Sequence, residues 1–387
     1  MELKVVIYAA LLFLVAFQAL STFSYALDMP SGIDNPVSVR FPEMLTAPAP
    51  PWLQEGLRVT YDTLASDSEF KGTGSVDWGT GNTGNGLVQT DVVALEGGNV
   101  ATVTQSYVPY LITGPMRPVF STGAIETAGC GDIWCNPEVL QKIPDRAGDD
   151  LTVLRLPMTV GGKQYQAIRF GFKQDTYELA DFYDLDTGIL LYRTIDYTSY
   201  NTNGYTVMGS RATHYMIKLR NLRKVNIPWK DGRVPDWLSP GNTLSYQGQT
   251  MTKTQGAPTI SYQLSVRASV LSAQKKFAEI NMITYSQDPI SPSQIKTSQT
   301  NSISGVAQLL GYWIPQEAIA TLSPRVVDTD PDTGMQISVV KTDANGVVFE
   351  KTNQMDYRAL FAYDSSGKLV QTYSECNPTT IVLQLVG

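Results

Sequence analysis

The sequence predicts a mainly β protein: two tandem repeats of a curled antiparallel sheet, open-barrel-like, each with one short helix. Three observations carry this. A cassette of turn plus alternating strand occurs twice, as Trp52-Leu53-Gln54-Glu55-Gly56-Leu57-Arg58-Val59-Thr60-Tyr61 and as Trp237-Leu238-Ser239-Pro240-Gly241-Asn242-Thr243-Leu244-Ser245-Tyr246. Later landmarks recur in the same order at near-equal spacing. Between them, apolar and polar residues alternate in short runs punctuated by Gly, Asn and Asp, the period of a strand with one buried face.

The landmarks make chance a poor explanation of the ten-residue match. Trp134 lies 82 residues after Trp52, and Trp313 lies 76 after Trp237. Tyr177 follows Trp134 by 43 and Tyr357 follows Trp313 by 44. Tyr183-Asp184 and Tyr363-Asp364 come six further on, each ahead of a turn glycine, Gly188 and Gly367. Thr213 to Leu219 and Thr380 to Val386 read as closing strands. A duplicated gene accounts for all four.

The chain opens Met1-Glu2-Leu3-Lys4, runs apolar from Val5 to Leu20 and reaches small residues at Ser24 and Ala26. Residues 1–26 therefore read as a secretory signal peptide cleaved after Ala26, which places the mature chain outside the cell or in its envelope. An uncleaved anchor is the alternative, since the apolar run is near the minimum that spans a bilayer. Residues 27–51 are a Pro-rich tether ending in Pro48-Ala49-Pro50-Pro51.

Repeat one covers 52–220. It contains a Gly-rich loop at Gly79 to Gly86, then a hairpin of Leu87 to Leu95 and Val100 to Val108 turning at Gly97-Gly98. A Pro- and Gly-rich connection from Ile112 to Gly131 leads to a helix over Pro137 to Ile143. Strands follow at Leu151–Thr159, Tyr165–Phe172, Leu179–Tyr183, Ile189–Tyr197 and Tyr205–Leu219. Residues 221–236, basic and carrying Pro228, read as a solvated linker.

Repeat two covers 237–387. Ala268 to Glu279 has helical propensity, but the repeat demands two strands turning near Lys275-Lys276, and the repeat takes precedence. Asp288 to Gly305 is the matching connection and Pro315 to Leu322 the matching helix. Strands follow at Gln336–Lys341, Val347–Thr352, Leu360–Tyr363, Leu369–Tyr373 and Thr380–Val386. About eight strands and one helix per copy give a general shape that resembles the open, helix-plugged barrels of periplasmic lipid and lipoprotein carriers, an architectural likeness with no motif attached.

Chemistry is sparse. With 29 Lys+Arg against 36 Asp+Glu the net charge is −7, and no basic stripe is available to neutralise phosphates, which argues against nucleic acid as a partner. The sole histidine, His214, falls inside a predicted strand, no G-x-S-x-G elbow is present, and copy two has no histidine, so a triad has no obvious members. Asp149, Asp150, Asp181, Asp184 and Asp186 are the carboxylates a glycan hydrolase would use, but Asp184 and Asp186 flank a turn, where Asp caps the backbone. Asp328-Thr329-Asp330-Pro331-Asp332-Thr333-Gly334 resembles a calcium loop, with its glycine one residue late and Val339 where the bidentate Glu belongs. No metal or cofactor is expected.

Cys130 and Cys135 fit a small disulfide loop before Trp134, leaving Cys376 buried or free for pairing between chains. Among six tryptophans, Trp78 and Trp229 lack a repeat counterpart and are the candidates for ligand contact. The functional expectation is an exported, non-catalytic binding protein for an amphipathic or apolar ligand, lipid-like or glycan. A cell-surface structural protein assembling through Cys376 is the alternative, and a carboxylate-dependent glycan hydrolase a third reading.

Overall fold

The computed structural model describes residues 36–386 apart from 73–76, 110–113, 203–206, 230, 254–255, 257 and 288–292; at 36 and over 69–72, 77–82, 200–202 and 207–209 it describes backbone alone. The expected signal peptide, 1–26, and the start of the expected tether lie outside the described residues. The protein is two antiparallel sheets in tandem. The first contains β1 (Leu57–Gly72), β2 (Asp77–Glu96), β3 (Asn99–Pro109), β4 (Met116–Thr127), β5 (Leu151–Val160), β6 (Lys163–Gln174), β7 (Tyr177–Asp184), β8 (Leu190–Thr202) and β9 (Val207–Lys224). Its strand order is β4-β3-β2-β1-β9-β8-β7-β6-β5.

The second contains β10 (Thr243–Thr252), β11 (Ile260–Ala273), β12 (Phe277–Gln287), β13 (Ile295–Gly305), β14 (Arg325–Thr329), β15 (Gln336–Asp343), β16 (Gly346–Thr352), β17 (Tyr357–Asp364), β18 (Leu369–Cys376) and β19 (Thr379–Leu385). Its order is β13-β12-β11-β10-β19-β18-β17-β16-β15-β14. In both sheets the first strand pairs with the last, so each sheet folds back on itself without closing. The order is the same in both, with β14 as an added edge strand.

The repeat extends to single hydrogen bonds. Tyr61 Oη donates to the Leu190 carbonyl at 3.0 Å, and Tyr246 Oη to the Leu369 carbonyl at 3.0 Å. Trp134 forms a single β-bridge with Ile189, and Trp313 one with Lys368. Both indoles are fully buried. Register shifts fall at matching places: Val92/Ala94 and Val270/Ser272, then Phe182/Tyr183 and Ala362/Tyr363. A bulge turns a side chain to the other face, so its retention in both copies preserves which residues face inward. The hairpin of β11 and β12 turns at 274–276, as the repeat requires and propensity does not.

Several local readings are corrected. The loop at Gly79 to Gly86 lies within β2, and the connections at 112–131 and 288–305 contain β4 and β13. These stretches are rich in Gly, Ser, Thr and Asn and lack apolar alternation; neighbouring backbone holds them as strands. The helices are single turns, α2 (Pro137–Leu140) and α3 (Gln316–Ile319). Asn136 caps α2 by accepting from Val139 N at 3.1 Å. Within the tether, α1 (Pro36–Arg40) and a 3-10 turn (Pro42–Thr46) bury Val37 and Met44 completely and set Phe41 against Phe170, 5.6 Å between rings. The linker is not solvated throughout: Val225, Ile227 and Trp229 sit in a core with Ile314, Val339 and Phe349.

Compactness divides the chain differently from the sheets. One unit comprises 36–50, 61–86 and 129–219; the other comprises 51–60, 87–128 and 220–387. The cut runs across β1, β2 and β9. Its cause is packing inside the second unit, where Val93, Ala94, Ala101 and Val103 of β2 and β3 share a core with Phe277 and Ile303 of β12 and β13. At Gly123 in β4 an added Cβ would overlap the Ile303 backbone. Two sheet edges are covered by that approach.

Candidate functional site

One face of β10, β11, β17, β18 and β19 is apolar and incompletely covered. Pairing places Tyr246 beside Val266 and Leu385, Gly248 beside Leu264 and Leu383, and Thr250 beside Ile381. Leu383 stands opposite Thr372, and Thr372 opposite Phe361. Tyr246 is buried, while Leu264, Val266, Phe361, Ile381, Leu383 and Leu385 are only half-buried. The opposite face of the same strands carries Gln247, Gln371, Glu375 and Gln384, all exposed. Strand alternation thus sorts apolar from polar residues, and the apolar face keeps Thr250, Thr372 and Ser374 as hydroxyl groups.

Farther along this face, toward β15 and β16, the surroundings become charged. Arg58 on β1 donates to both oxygens of Asp91, at 2.7 and 2.7 Å, and to Asp330 Oδ2 at 2.6 Å. Asp330 Oδ2 also accepts from Gln89 Nε2 at 2.8 Å and Arg223 Nη2 at 3.1 Å, and its Oδ1 accepts from the backbone of Asp332 and Thr333. Burial alone would push the Asp330 carboxyl up; Arg58, Arg223 and Gln89 overcome it and hold it well below the usual carboxylate range. A carboxylate with every lone pair engaged is a structural keystone, not an acid or base.

Lys351 stands apart. Its ammonium group is buried and donates to Gln105 Oε1 at 2.9 Å and Tyr107 Oη at 3.3 Å, both neutral. Burial and the nearby charge of Arg58 pull it down to about 7, with Asp91 and Asp330 opposing.

The first unit has its own buried ion pair. Arg193, 3% exposed, donates to Asp181 at 2.6 and 3.0 Å, to Asp132 Oδ1 at 2.5 Å and to the Asp132 carbonyl at 3.2 Å. Burial pushes Asp181 up against the pull of Arg193. A polar cleft of about 540 Å³ opens on the other face of the same strands, lined by Thr152, Arg169, Glu178, Thr194 and Asp196 among others.

Positions singled out in the sequence scatter. His214 pairs with Asp196 at 2.7 Å on the surface. Asp184 Oδ2 accepts from Thr187 N and Oγ1 at 3.1 and 2.6 Å, and Asp364 plays the same part for Ser366 and Lys368. Both are turn caps. Asp181 is 3.4 Å from the Tyr183 hydroxyl and locked to Arg193. Asp149 lines the cleft, and Asp150 pairs with Arg40 at 2.8 Å. Asp328 and Asp330 of the calcium-like loop are held by arginines, and no cluster of three metal-ligating side chains occurs among the described residues.

Trp229 is corrected from a surface contact to a core residue: 4% exposed, it meets Phe349 edge-on at 5.6 Å, because the segment after β9 is drawn over the second sheet. The Trp78 side chain lies outside the described residues. Cys130 and Cys135 are brought together as expected, but as thiols 3.2 Å apart and not as a disulfide. Cys376 is half-buried at the end of β18, and burial raises its thiol.

Arg58, Asp330, Arg193 and Lys351 escaped sequence reasoning, since their partners lie up to 272 residues away. Aligning the copies would have marked two of them: pairing equates Asp181 with Phe361, Arg193 with Thr372, and Lys351 with Phe172.

No family model matches the chain, and no curated protein matches it. Among solved structures it is similar to a protein of unknown function from the DUF3598 family of Nostoc punctiforme, at 12% identity, covering 84% of this chain and 95% of that one with a TM-score of 0.15.

Proposed function

We propose that the chain is an exported, non-catalytic binding protein for an amphipathic or apolar ligand, whose hydrocarbon part lies on the apolar face of the second sheet. One observation carries the reading: Leu264, Val266, Phe361, Ile381, Leu383 and Leu385 share a face that packing leaves half-covered. Apolar surface left partly in water costs roughly 25 cal/mol per Å², so a ligand that covers it gains that energy. Thr372 and Ser374 on the same face offer hydrogen bonds to a polar head. The leader-like residues 1–26 support export, and the non-catalytic reading is supported by Asp184 as a turn cap and by Asp150 and Asp181 as members of ion pairs.

The test is a titration of purified protein with the fluorescent apolar anion 1-anilinonaphthalene-8-sulfonate. Binding saturates in the parent, is weakened tenfold or more in Leu383→Glu, and is unchanged in Gln384→Glu on the opposite face of the same strand. Equal binding by all three, together with an unliganded mass for protein isolated from its own host, would overturn the proposal.

A further inference from the structure

We infer that Cys130 and Cys135 form a redox site, closing into a disulfide across the turn at Asp132-Ile133 that locks the segment carrying Trp134. The two residues are an antiparallel pair flanked by the hydrogen bonds Gly131 N to Trp134 O, 2.9 Å, and Asn136 N to Gly129 O, 2.7 Å. They therefore occupy a non-hydrogen-bonded rung, where Cα atoms stand about 4.5 Å apart, inside the range that disulfides span. Their sulfur atoms are 3.2 Å apart. Closure brings the two sulfur atoms roughly 1 Å closer by rotation of the side chains.

The frame that presents the pair is held by groups besides the thiols. Gly129 and Gly131 lie so close to the Met44 carbonyl and the Trp134 ring that an added Cβ would overlap them. Arg193 grips the turn through both the carboxylate and the carbonyl of Asp132. Counted from Trp134 and Trp313, the matching positions in copy two are Leu309 and Ile314, both members of one apolar cluster. Two of the chain's three cysteines thus face each other at a site where the duplicate makes do with aliphatic residues.

The oxidant required is a disulfide acting by exchange. Cys130, slightly exposed where Cys135 is fully buried, attacks one sulfur of the oxidant as its thiolate and releases one thiol. Cys135 then attacks the Cys130 sulfur of the mixed disulfide, the new S–S bond forms, and the second thiol leaves with the proton. Two electrons pass from the pair to the oxidant. Burial pushes the Cys135 thiol up, which keeps it a poor first nucleophile and makes it the resolving partner.

The experiment uses the full chain carrying Cys376→Ser, equilibrated with reduced and oxidised glutathione, acid-quenched, unfolded and treated with a maleimide. In the oxidising mixture the chain is expected to lose two hydrogen masses and take up no maleimide, and its unfolding midpoint rises relative to the reduced form. A further Cys135→Ser change traps glutathione on Cys130. Cys130→Leu with Cys135→Ile, the copy-two residues, folds and shows no redox response. Two free thiols in the most oxidising mixture, or a glutathione adduct that persists on the intact pair, overturns the inference. Neither result depends on whether the second sheet binds a ligand.

Discussion

Lys351 shows most directly how one side chain conflicts with its surroundings. Strand alternation puts it on the same face as Val347 and Phe349, and the equivalent position in the first sheet is Phe172. A buried amine with neutral partners is held near 7, whereas in the unfolded chain it returns to about 10.4. Between those values the unfolded state binds a proton that the native state does not, so stability climbs as pH rises through the window. Its slope is at most about 1.4 kcal/mol per pH unit. Chemical denaturation at pH 7, 8 and 9 should show that rise, and Lys351→Met should flatten it while adding stability at pH 7; an equal slope in both proteins would remove Lys351 as its source. The Asp181–Arg193 pair permits a sharper test, because copy two supplies an apolar replacement. Asp181→Asn leaves the buried guanidinium with the exposed carboxylate and the carbonyl of Asp132 as its remaining acceptors, and should cost about 2–3 kcal/mol. The double change Asp181→Phe with Arg193→Thr should cost clearly less than that single one, measured by the same unfolding curves. A double change that costs as much as Asp181→Asn, or more, would mean that the loss of the pair's coupling is not what makes the single change costly.

Turns and strands divide by how much of their logic is local. Asp184 and Asp364 were legible as caps because they bond to residues two to four positions away. The turn glycines carry a stronger constraint than their composition reveals. Gly188 has φ +76° and Gly367 φ +81°, and a Cβ on either would overlap a carbonyl oxygen, of Cys135 and Ile314 respectively. Gly161, φ +58°, has nothing near it. Alanine at 161 should cost about 1 kcal/mol from its backbone conformation. Alanine at 188 or 367 adds a collision with the main chain and should cost roughly 3 kcal/mol or more. A thermal scan in which all three variants melt together would contradict this. By contrast, β4, β13 and the start of β2 could not be read from their own residues. Their Gly-, Ser-, Thr- and Asn-rich sequences show no period of two, β13 being buried only at its end, Ile303–Gly305, and their partner strands decide the conformation. The β11–β12 hairpin was recovered only because its duplicate was plainer.

Duplication fixed the two strand orders, yet the chain does not come apart at the repeat boundary. Recurring tryptophans and tyrosines made the sheets legible because each stabilises its own copy. The contacts that join β1–β3 to the strands after residue 220 have no repeat equivalent and so left no periodic trace. Asp330 accepts from Arg58 and Gln89, and Lys351 from the second sheet is seated on Gln105 and Tyr107. Phe277 and Ile303 share a core with Val93 and Val103. Expressed alone, residues 221–387 would keep Asp330 with Arg223 as its remaining cation, expose Lys351, and leave that small core open on one side. Removing one partner of a buried ion pair costs about 3–5 kcal/mol, a large share of the total stability of an ordinary domain. The pieces 36–220 and 221–387 should therefore each unfold below the intact chain, the second with exposed apolar surface at neutral pH. Circular dichroism melts of both pieces and of the whole measure this directly. Two pieces that each melt cooperatively at the parent midpoint would show that the copies remain independent, and that the charged contacts of Asp330 contribute nothing to holding them.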